Sequence, residues 1–279
     1  MTTTTLAPTG GPAPVPTVAP VRAARVTFPR VVTSEAVKFR SVRSTAWALP
    51  ITALVMVAFA LLQAWGAVQM ELTAAEIDGG AAALAVSGVF FGQIVVAVLA
   101  VLAIGGEYST GQIRSTLTAV PTRVPALLAK ALVLFVAVAV TAVVATGAAL
   151  AVCSPFLAEL GIPVTWDAGS LRVLAGGALY LATIAVLALA IGAMLRHTAG
   201  ALATVLALLL VVENVIGALP FRFFEVVSPY LPQTAGMRLL LEDHYLADGL
   251  GPWQGYGVLA AWTVLGLAVA AVLLRRRDA

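Results

Sequence analysis

Charged side chains are scarce in this chain. Of its 279 residues, 10% are charged and 61% are hydrophobic, and the formal net charge is +3. In a typical soluble domain, roughly a quarter of the residues are charged. A soluble protein of the present composition would lack the polar side chains needed to cover its surface. We therefore predict that lipid surrounds much of the chain. The modest positive charge does not indicate a nucleic-acid partner, because the basic residues lie at the ends of apolar segments.

Metal ligands and catalytic groups are also few. The chain has one cysteine, Cys153, and two histidines, His197 and His244, without the spacing of a metal site. We interpret Cys153 as a small apolar residue near a helix end. No segment matches the phosphate-binding pattern G-x-x-x-x-G-K-[ST], so the chain itself is not expected to hydrolyse ATP. We predict a protein that is not an enzyme and that binds no metal or cofactor.

Long apolar segments dominate the rest of the sequence. A helix of about 20 residues crosses the hydrocarbon core of a bilayer, and six segments are long enough. The predicted spans are residues 47–68, 81–106, 127–152, 173–195, 198–219 and 253–274. The fifth contains Glu213, which we expect near the outer surface in contact with water. The predicted fold is an all-α membrane protein.

The ends of the chain are assigned from composition and charge. Residues 1–32 are rich in Pro and Thr and have no periodicity or signal-like apolar stretch, so they are predicted to form a disordered tail. With six spans and the N-terminus inside, only Arg172, Arg222 and Arg238 of the 16 Lys and Arg residues fall outside. By the positive-inside rule, both termini are predicted to be cytoplasmic.

Two loops are longer than turns. The outer loop, residues 220–252, mixes aromatic residues, prolines and isolated charges, which favours short interfacial or re-entrant helices. In the inner loop, Ser109 and Gln112 have the spacing of a helix cap, and Ile113, Leu117 and Val120 form one apolar stripe before Pro121. This pattern predicts an amphipathic helix at the inner surface, able to lie among headgroups or in a partner's groove.

The inner loop also carries a family resemblance. Its pattern E-Y-x-x-G-x-I-R-x-T-L, followed by P-x-R and a lysine, resembles the permease subunits of type 2 ATP-binding-cassette (ABC) transporters, which are mostly bacterial exporters. The matching positions are Glu107, Tyr108, Gly111, Ile113, Arg114, Thr116, Leu117, Pro121, Arg123 and Lys130. A basic helix before the first span and a proline-rich segment, residues 228–236, before the last fit the same family. The resemblance covers residues 33–279, which would form one six-helix permease domain.

The resemblance implies a mechanical role. In that family the loop after the second span is a coupling helix, which docks on a separate ATPase subunit that holds ATP and Mg²⁺. The implied coupling residues are Glu107, Tyr108, Gly111, Gln112, Ile113, Arg114, Thr116, Leu117, Pro121 and Arg123. The implied partners are the ATPase, a second permease of the same or a related kind, and lipid of a bacterial plasma membrane. Because buried charge is scarce, we expect an amphipathic or apolar exported compound.

Several residues have a simpler interpretation. We expect Lys130 to extend towards the inner interface, and Lys38, Arg40 and Arg43 to orient the chain beside anionic headgroups. Gly88 and Gly92 form a GxxxG pair that permits close helix packing.

Two other functions stay open on sequence alone. An ion-coupled secondary transporter would need polar or broken helices at mid-membrane, and a membrane anchor or assembly protein would tolerate substitutions throughout the inner loop. An intramembrane enzyme is disfavoured, because the spans contain no visible catalytic set.

Overall fold

The computed structural model describes residues 27–74, 77, 80–111, 124–241 and 249–276, apart from the side chains of residues 43 and 44. Within these residues all regular structure is helical, and six helical stretches are long and apolar enough to cross a membrane. They are Thr45–Gln69, Gly80–Ser109, Val124–Glu159, Ala168–Leu195, Thr198–Ala218 and Pro252–Arg276. The prediction of an all-α membrane protein with six spans is confirmed.

One extended residue separates the first two helices. Helix α1, Phe28–Ser41, and helix α2, Arg43–Gln69, meet at Val42, whose backbone is extended. Helix α1 therefore begins before residue 33, where the predicted membrane domain starts, while residues 1–26 lie outside the described part. It packs against both α2 and the third span.

The second span is broken into α3, Gly80–Val86, and α4, Val89–Ser109. At the break α2 approaches closely, since a β-carbon on Gly88 would overlap the backbone of Met56. A β-carbon on Gly92 would lie 3.1 Å from the Met56 side chain. The close helix packing expected of this GxxxG pair is therefore present.

The third and fourth spans form the centre of the bundle. Helix α5, Val124–Glu159, has 36 residues and is longer than the predicted 127–152, continuing through Pro155. Helix α6, Ala168–Leu195, packs against α4, α5 and the last span, α11, Pro252–Arg276. Of its apolar stretch 83% is buried within the chain, against 22% for α2 and α11. Helix α6 is therefore the core helix, and the others expose apolar faces.

Caps define both ends of α6. The Asp167 carboxylate accepts a hydrogen bond from the Ser170 backbone N–H at 2.9 Å, and bonds of this kind lower the pKa of Asp167 to about 2. At the other end, Arg196 adopts a left-handed conformation with φ of 54°. His197 then caps the next helix, accepting from the Gly200 N–H at 3.0 Å. This turn connects two spans without an intervening loop.

The fifth span contains a π-helical segment. Helix α7, Thr198–Leu206, passes through a π-helix, Ala207–Val212, into α8, Glu213–Ala218. In its described residues, 220–241 and 249–251, the outer loop that follows contains the short helices α9, Arg222–Val227, and α10, Pro232–Met237, and 3-10 turns at Ser228–Tyr230 and Arg238–Leu240.

Helix α10 returns into the bundle. Several of its residues are buried, and it packs against α11 and α6. A β-carbon on Gly236 would lie 2.6 Å from Leu259 and 2.8 Å from Tyr180, so only glycine fits there without movement. The short helices expected in the outer loop are therefore present, and α10 packs within the bundle.

Glu213 differs from the prediction that it would contact water. Its side chain lies within the bundle, and the residue is 3% exposed. The carboxylate accepts hydrogen bonds from the backbone N–H groups of Gln233 at 2.8 Å and Thr234 at 2.7 Å, and from the Thr234 hydroxyl at 3.0 Å. Helix α10 thus supplies the donors that we had expected from water, using N–H groups of its first turn that have no partner within the helix.

Candidate functional site

Four charged side chains meet at the end of the bundle that carries α1. Glu35 and Lys38 come from α1, Glu107 from α4 and Lys130 from α5. The Lys130 Nζ lies 2.7 Å from Glu35 Oε2 and 2.9 Å from Glu107 Oε1. The Lys38 Nζ lies 2.7 Å from Glu35 Oε1 and 3.5 Å from Glu107 Oε1. We call these four residues the ion-pair cluster; its formal charge is zero.

Local helix geometry explains how the cluster assembles. Glu35 and Lys38 are three residues apart on α1, so they share a face of that helix. Glu107 lies in the last turn of α4, and Lys130 lies two turns after the start of α5. Since these spans are consecutive and antiparallel, their charged ends reach the same level of the bundle and pack beside α1.

Burial makes the pairing strong. The side chains of Glu35 and Glu107 are 3% and 7% exposed, and those of Lys130 and Lys38 are 12% and 26% exposed. Burial alone would raise the pKa of Glu35. The nearby ammonium groups of Lys130 and Lys38 outweigh that effect and hold its pKa below the ordinary value of 4.5. Glu35 is therefore ionised at neutral pH, as its position between two ammonium groups requires.

The cluster corrects two predictions. Lys130 does not extend to the interface alone but pairs with two carboxylates, because the packing of α1 and α4 places them within 2.9 Å of its ammonium. Lys38 likewise faces the cluster rather than lipid, whereas Arg40 on the same helix is exposed. Sequence reasoning did not identify Glu35 as a site residue. The signal available was an acidic residue three positions before a lysine on an otherwise basic helix.

A cavity of about 220 Å³ opens beside the ion-pair cluster, and we call it the α1 cavity. Its walls come from α1, α2, α4 and α5. The lining residues are Glu35, Lys38, Phe39, Ser41, Val42, Thr45, Leu102, Ala103, Gly106, Glu107, Thr110, Lys130 and Val133. Charged groups thus form one part of the wall and apolar side chains another.

The resemblance-derived coupling residues divide between described and undescribed parts of the chain. Glu107 and Tyr108 belong to the last turn of α4, and Gly111 follows it with φ of 71°, a left-handed conformation that suits glycine. The remaining coupling residues, Gln112, Ile113, Arg114, Thr116, Leu117, Pro121 and Arg123, lie outside the described residues. The amphipathic coupling helix stays a prediction.

The described coupling residues make specific contacts. Glu107 is buried in the ion-pair cluster rather than solvated in a loop. The Arg196 guanidinium lies 5.6 Å from the centre of the Tyr108 ring, which connects the end of α4 with the turn between α6 and α7. The Ser109 hydroxyl donates to the Gly106 carbonyl at 3.1 Å, so it serves the end of α4.

Polar side chains also join neighbouring spans in the described part of the chain. The Tyr180 hydroxyl on α6 donates to the Gln93 side chain on α4, and the Thr183 and Tyr256 hydroxyls lie 3.2 Å apart between α6 and α11. Such bonds hold neighbouring helices together. In the described part of the chain, no group of three or more His, Cys, Asp or Glu residues is arranged to hold a metal ion.

Comparisons with known proteins assign no family. Neither the comparison with protein-family models nor the one with curated protein sequences finds a match to this chain.

Proposed function

We propose that the chain is the membrane-spanning permease subunit of an ABC transporter, with ATP hydrolysis on a separate subunit. The observation that carries the proposal is the position of the inner-loop motif. Its first residues, Glu107 and Tyr108, form the last turn of the second span, so the rest of the motif joins the second and third spans. A coupling element must occupy such a position to transmit force to membrane helices.

The ion-pair cluster supports this role. Glu107 joins the root of the inner loop to α1 and α5, and Tyr108 contacts Arg196 at the turn between α6 and α7. Movement imposed on the loop would therefore be transmitted to several spans at once. In this proposal an ATPase subunit binding MgATP drives that movement, and the described cluster acts as a rigid joint.

The exposed apolar helices support a paired arrangement. Helices α2, α7 and α11 leave much of their surface uncovered by the chain itself, and Gly and Ala are common in the sequence. We propose that a second permease covers part of this surface and that lipid covers the remainder. An amphipathic or apolar compound would then be exported between the two subunits. The location would be a bacterial plasma membrane, with both termini in the cytoplasm.

A second candidate is an ion-coupled secondary transporter. Glu213 favours it, because a buried carboxylate beside a π-helical segment of a span is a feature of ion-coupled sites. The three hydrogen bonds that Glu213 accepts favour a structural role instead. We therefore prefer the ATPase-coupled function.

The test is co-purification of the tagged full chain from its native cell in mild detergent, followed by measurement of MgATP hydrolysis. Arg114→Ala alters the predicted coupling helix, and Arg276→Ala removes an exposed arginine at the same end of the bundle as a matched control. We expect an ATPase to accompany the wild type and the control, with recovery or activity lost in Arg114→Ala. Transport that persists without any ATPase and collapses with an ion gradient would instead establish the second candidate.

A further inference from the structure

One face of the fifth span is buried at every fourth residue. The buried positions are Ala201, Val205, Leu209 and Glu213, which are 0–3% exposed. In a regular α-helix each residue turns the chain by about 100°, so a spacing of four drifts by about 40° at each step. Glu213 would then face about 120° away from Ala201. The observed burial therefore requires a feature of this span that removes the drift.

The π-helical segment Ala207–Val212, which we call the π segment, is that feature. The backbone N–H of Glu213 donates to the carbonyl of Leu208, five residues earlier, where an α-helix would use Leu209. A turn of π-helix holds more residues than a turn of α-helix, so the chain turns less at each residue. The π segment thus keeps Glu213 on the same face as Ala201. Segments of this kind are rare and are frequently found at functional sites.

The face that carries Glu213 meets α10. The carboxylate accepts three hydrogen bonds from Gln233 and Thr234 in the first turn of that helix. Hydrogen bonds to an ionised acceptor are stronger than bonds between neutral groups. They join the fifth span to α10 only while the Glu213 side chain points to this face. The π segment sets that direction, so the attachment of α10 depends on the register of the π segment.

The attachment leaves one polar group of α10 unsatisfied. Gln233 Oε1 is inaccessible to solvent and has no hydrogen-bond partner among the described residues, which is unfavourable for a buried acceptor. Movement of α10 towards water would hydrate this oxygen and offset part of the loss of the bonds to Glu213. The fifth span is also loosely held, since 22% of its apolar stretch is buried within the chain. Both observations favour a second position for α10.

We propose that the π segment and Glu213 form a clasp on α10 with a closed and an open position. In the closed position the π register directs Glu213 to the first turn of α10. When the π segment takes the α-helical register, the end of the span rotates by about a third of a turn, Glu213 leaves α10, and α10 moves out of the bundle. The inference does not depend on the proposed transport function, since it needs only the described helices in a membrane.

Labelling of a cysteine in α10 measures how often the clasp opens. Gln233→Cys places a smaller side chain at a position that is 7% exposed, and it keeps the backbone N–H that Glu213 accepts. The native Cys153, buried on α5, is the internal reference for opening elsewhere in the bundle. The purified full chain in mixed micelles is treated with a water-soluble maleimide, and peptide mass spectrometry follows each cysteine separately. With Glu213→Gln we expect position 233 to label about tenfold faster and Cys153 to keep its rate.

Deletion of one residue from the π segment tests the register itself. Val211 is 56% exposed, so its loss removes little packing. Without it, a regular α-helix brings Glu213 to within about 20° of Ala201, and Glu213 holds α10 with no alternative register. We expect position 233 to label about tenfold more slowly than in the undeleted chain. Val211→Ala is the matched control, because it removes most of the side chain but keeps the number of residues, and it should not slow the labelling.

Four results would overturn the inference. Equal labelling of position 233 with and without Glu213→Gln would show that Glu213 does not hold α10, and equal acceleration of Cys153 would show that the whole bundle loosens. A deletion that labels no more slowly than Val211→Ala would show that the register is not the switch. A deletion variant that does not fold would show that Glu213 is not aligned as inferred. If Glu213→Gln folds poorly, the deletion and its control decide the matter.

Discussion

Replacement of Lys130 by methionine should destabilise the bundle strongly. The substitution keeps the length of the side chain but removes the ammonium that lies 2.7 Å from Glu35 Oε2 and 2.9 Å from Glu107 Oε1. Two carboxylates that are 3% and 7% exposed would then share only Lys38. Removing one partner of a buried pair typically costs about 3–5 kcal/mol. Because Lys38 remains, we expect about 3 kcal/mol, at the lower end of that range.

The assay is reversible unfolding of the purified chain in mixed micelles, followed by tryptophan fluorescence. Lys38→Met is the matched control and should cost less, since Lys38 is more exposed and lies 3.5 Å from Glu107. The double variant Lys130→Met/Glu107→Gln should recover part of the loss, because it removes one uncompensated charge together with its partner. A loss for Lys130→Met below about 1 kcal/mol, the value typical of an exposed pair, would refute the reasoning. A larger loss for Lys38→Met would refute it equally.

Three further predictions concern other contacts. Because the pKa of Glu35 is lowered, its ionised form stabilises the fold above the ordinary pKa of 4.5, and this stabilisation is lost as the pH falls through the lowered pKa. The melting temperatures of wild type and Glu35→Gln should therefore converge in acid, and a difference that stays constant with pH would contradict this. In the same unfolding assay, Gly236→Ala should lower the free energy of unfolding by about 1–3 kcal/mol because the added methyl group overpacks the site. Gly217→Ala should not destabilise the chain, because a β-carbon there meets nothing within 4 Å. Glu213→Gln should lower the free energy of unfolding by about 1–3 kcal/mol, since an amide satisfies the N–H groups of α10 less well than a carboxylate does. Glu225→Gln, at an exposed position, should leave the free energy of unfolding unchanged, and equal unfolding curves for these two variants would exclude a structural role for Glu213.

The membrane spans were predictable because a bilayer imposes a simple length requirement. Each crossing needs about 20 apolar residues, and a sequence with 10% charge leaves few places to end a helix. The end of α5 was harder to predict. Its helix continues to Glu159 through Pro155, and hydropathy gives no means of telling a helix that protrudes from the membrane from one that stops at its surface.

The ion-pair cluster was not predictable from the same pattern. Lys130 and Glu107 are separated by the inner loop, and Glu35 lies before the first span, so no local spacing relates the three. The packing of α1 against α5 brings Glu35 to Lys130, and Glu107 reaches both helices from the end of α4. The partners of Glu213 were hidden for a different reason. Two of its three hydrogen-bond donors are backbone N–H groups, which every residue except proline carries and which no residue type reveals.

The central position of α6 has a consequence for how the chain is made. One face of this helix is covered by α11, where a β-carbon on Gly266 would lie 3.3 Å from Ala190 and 3.6 Å from Leu187. Helix α11 is synthesised after α6. The core helix is therefore inserted before the span that covers it, and one side of it faces lipid or the translocation machinery until the segment that forms α11 is inserted. Loss of that segment would expose the centre of the bundle rather than its edge.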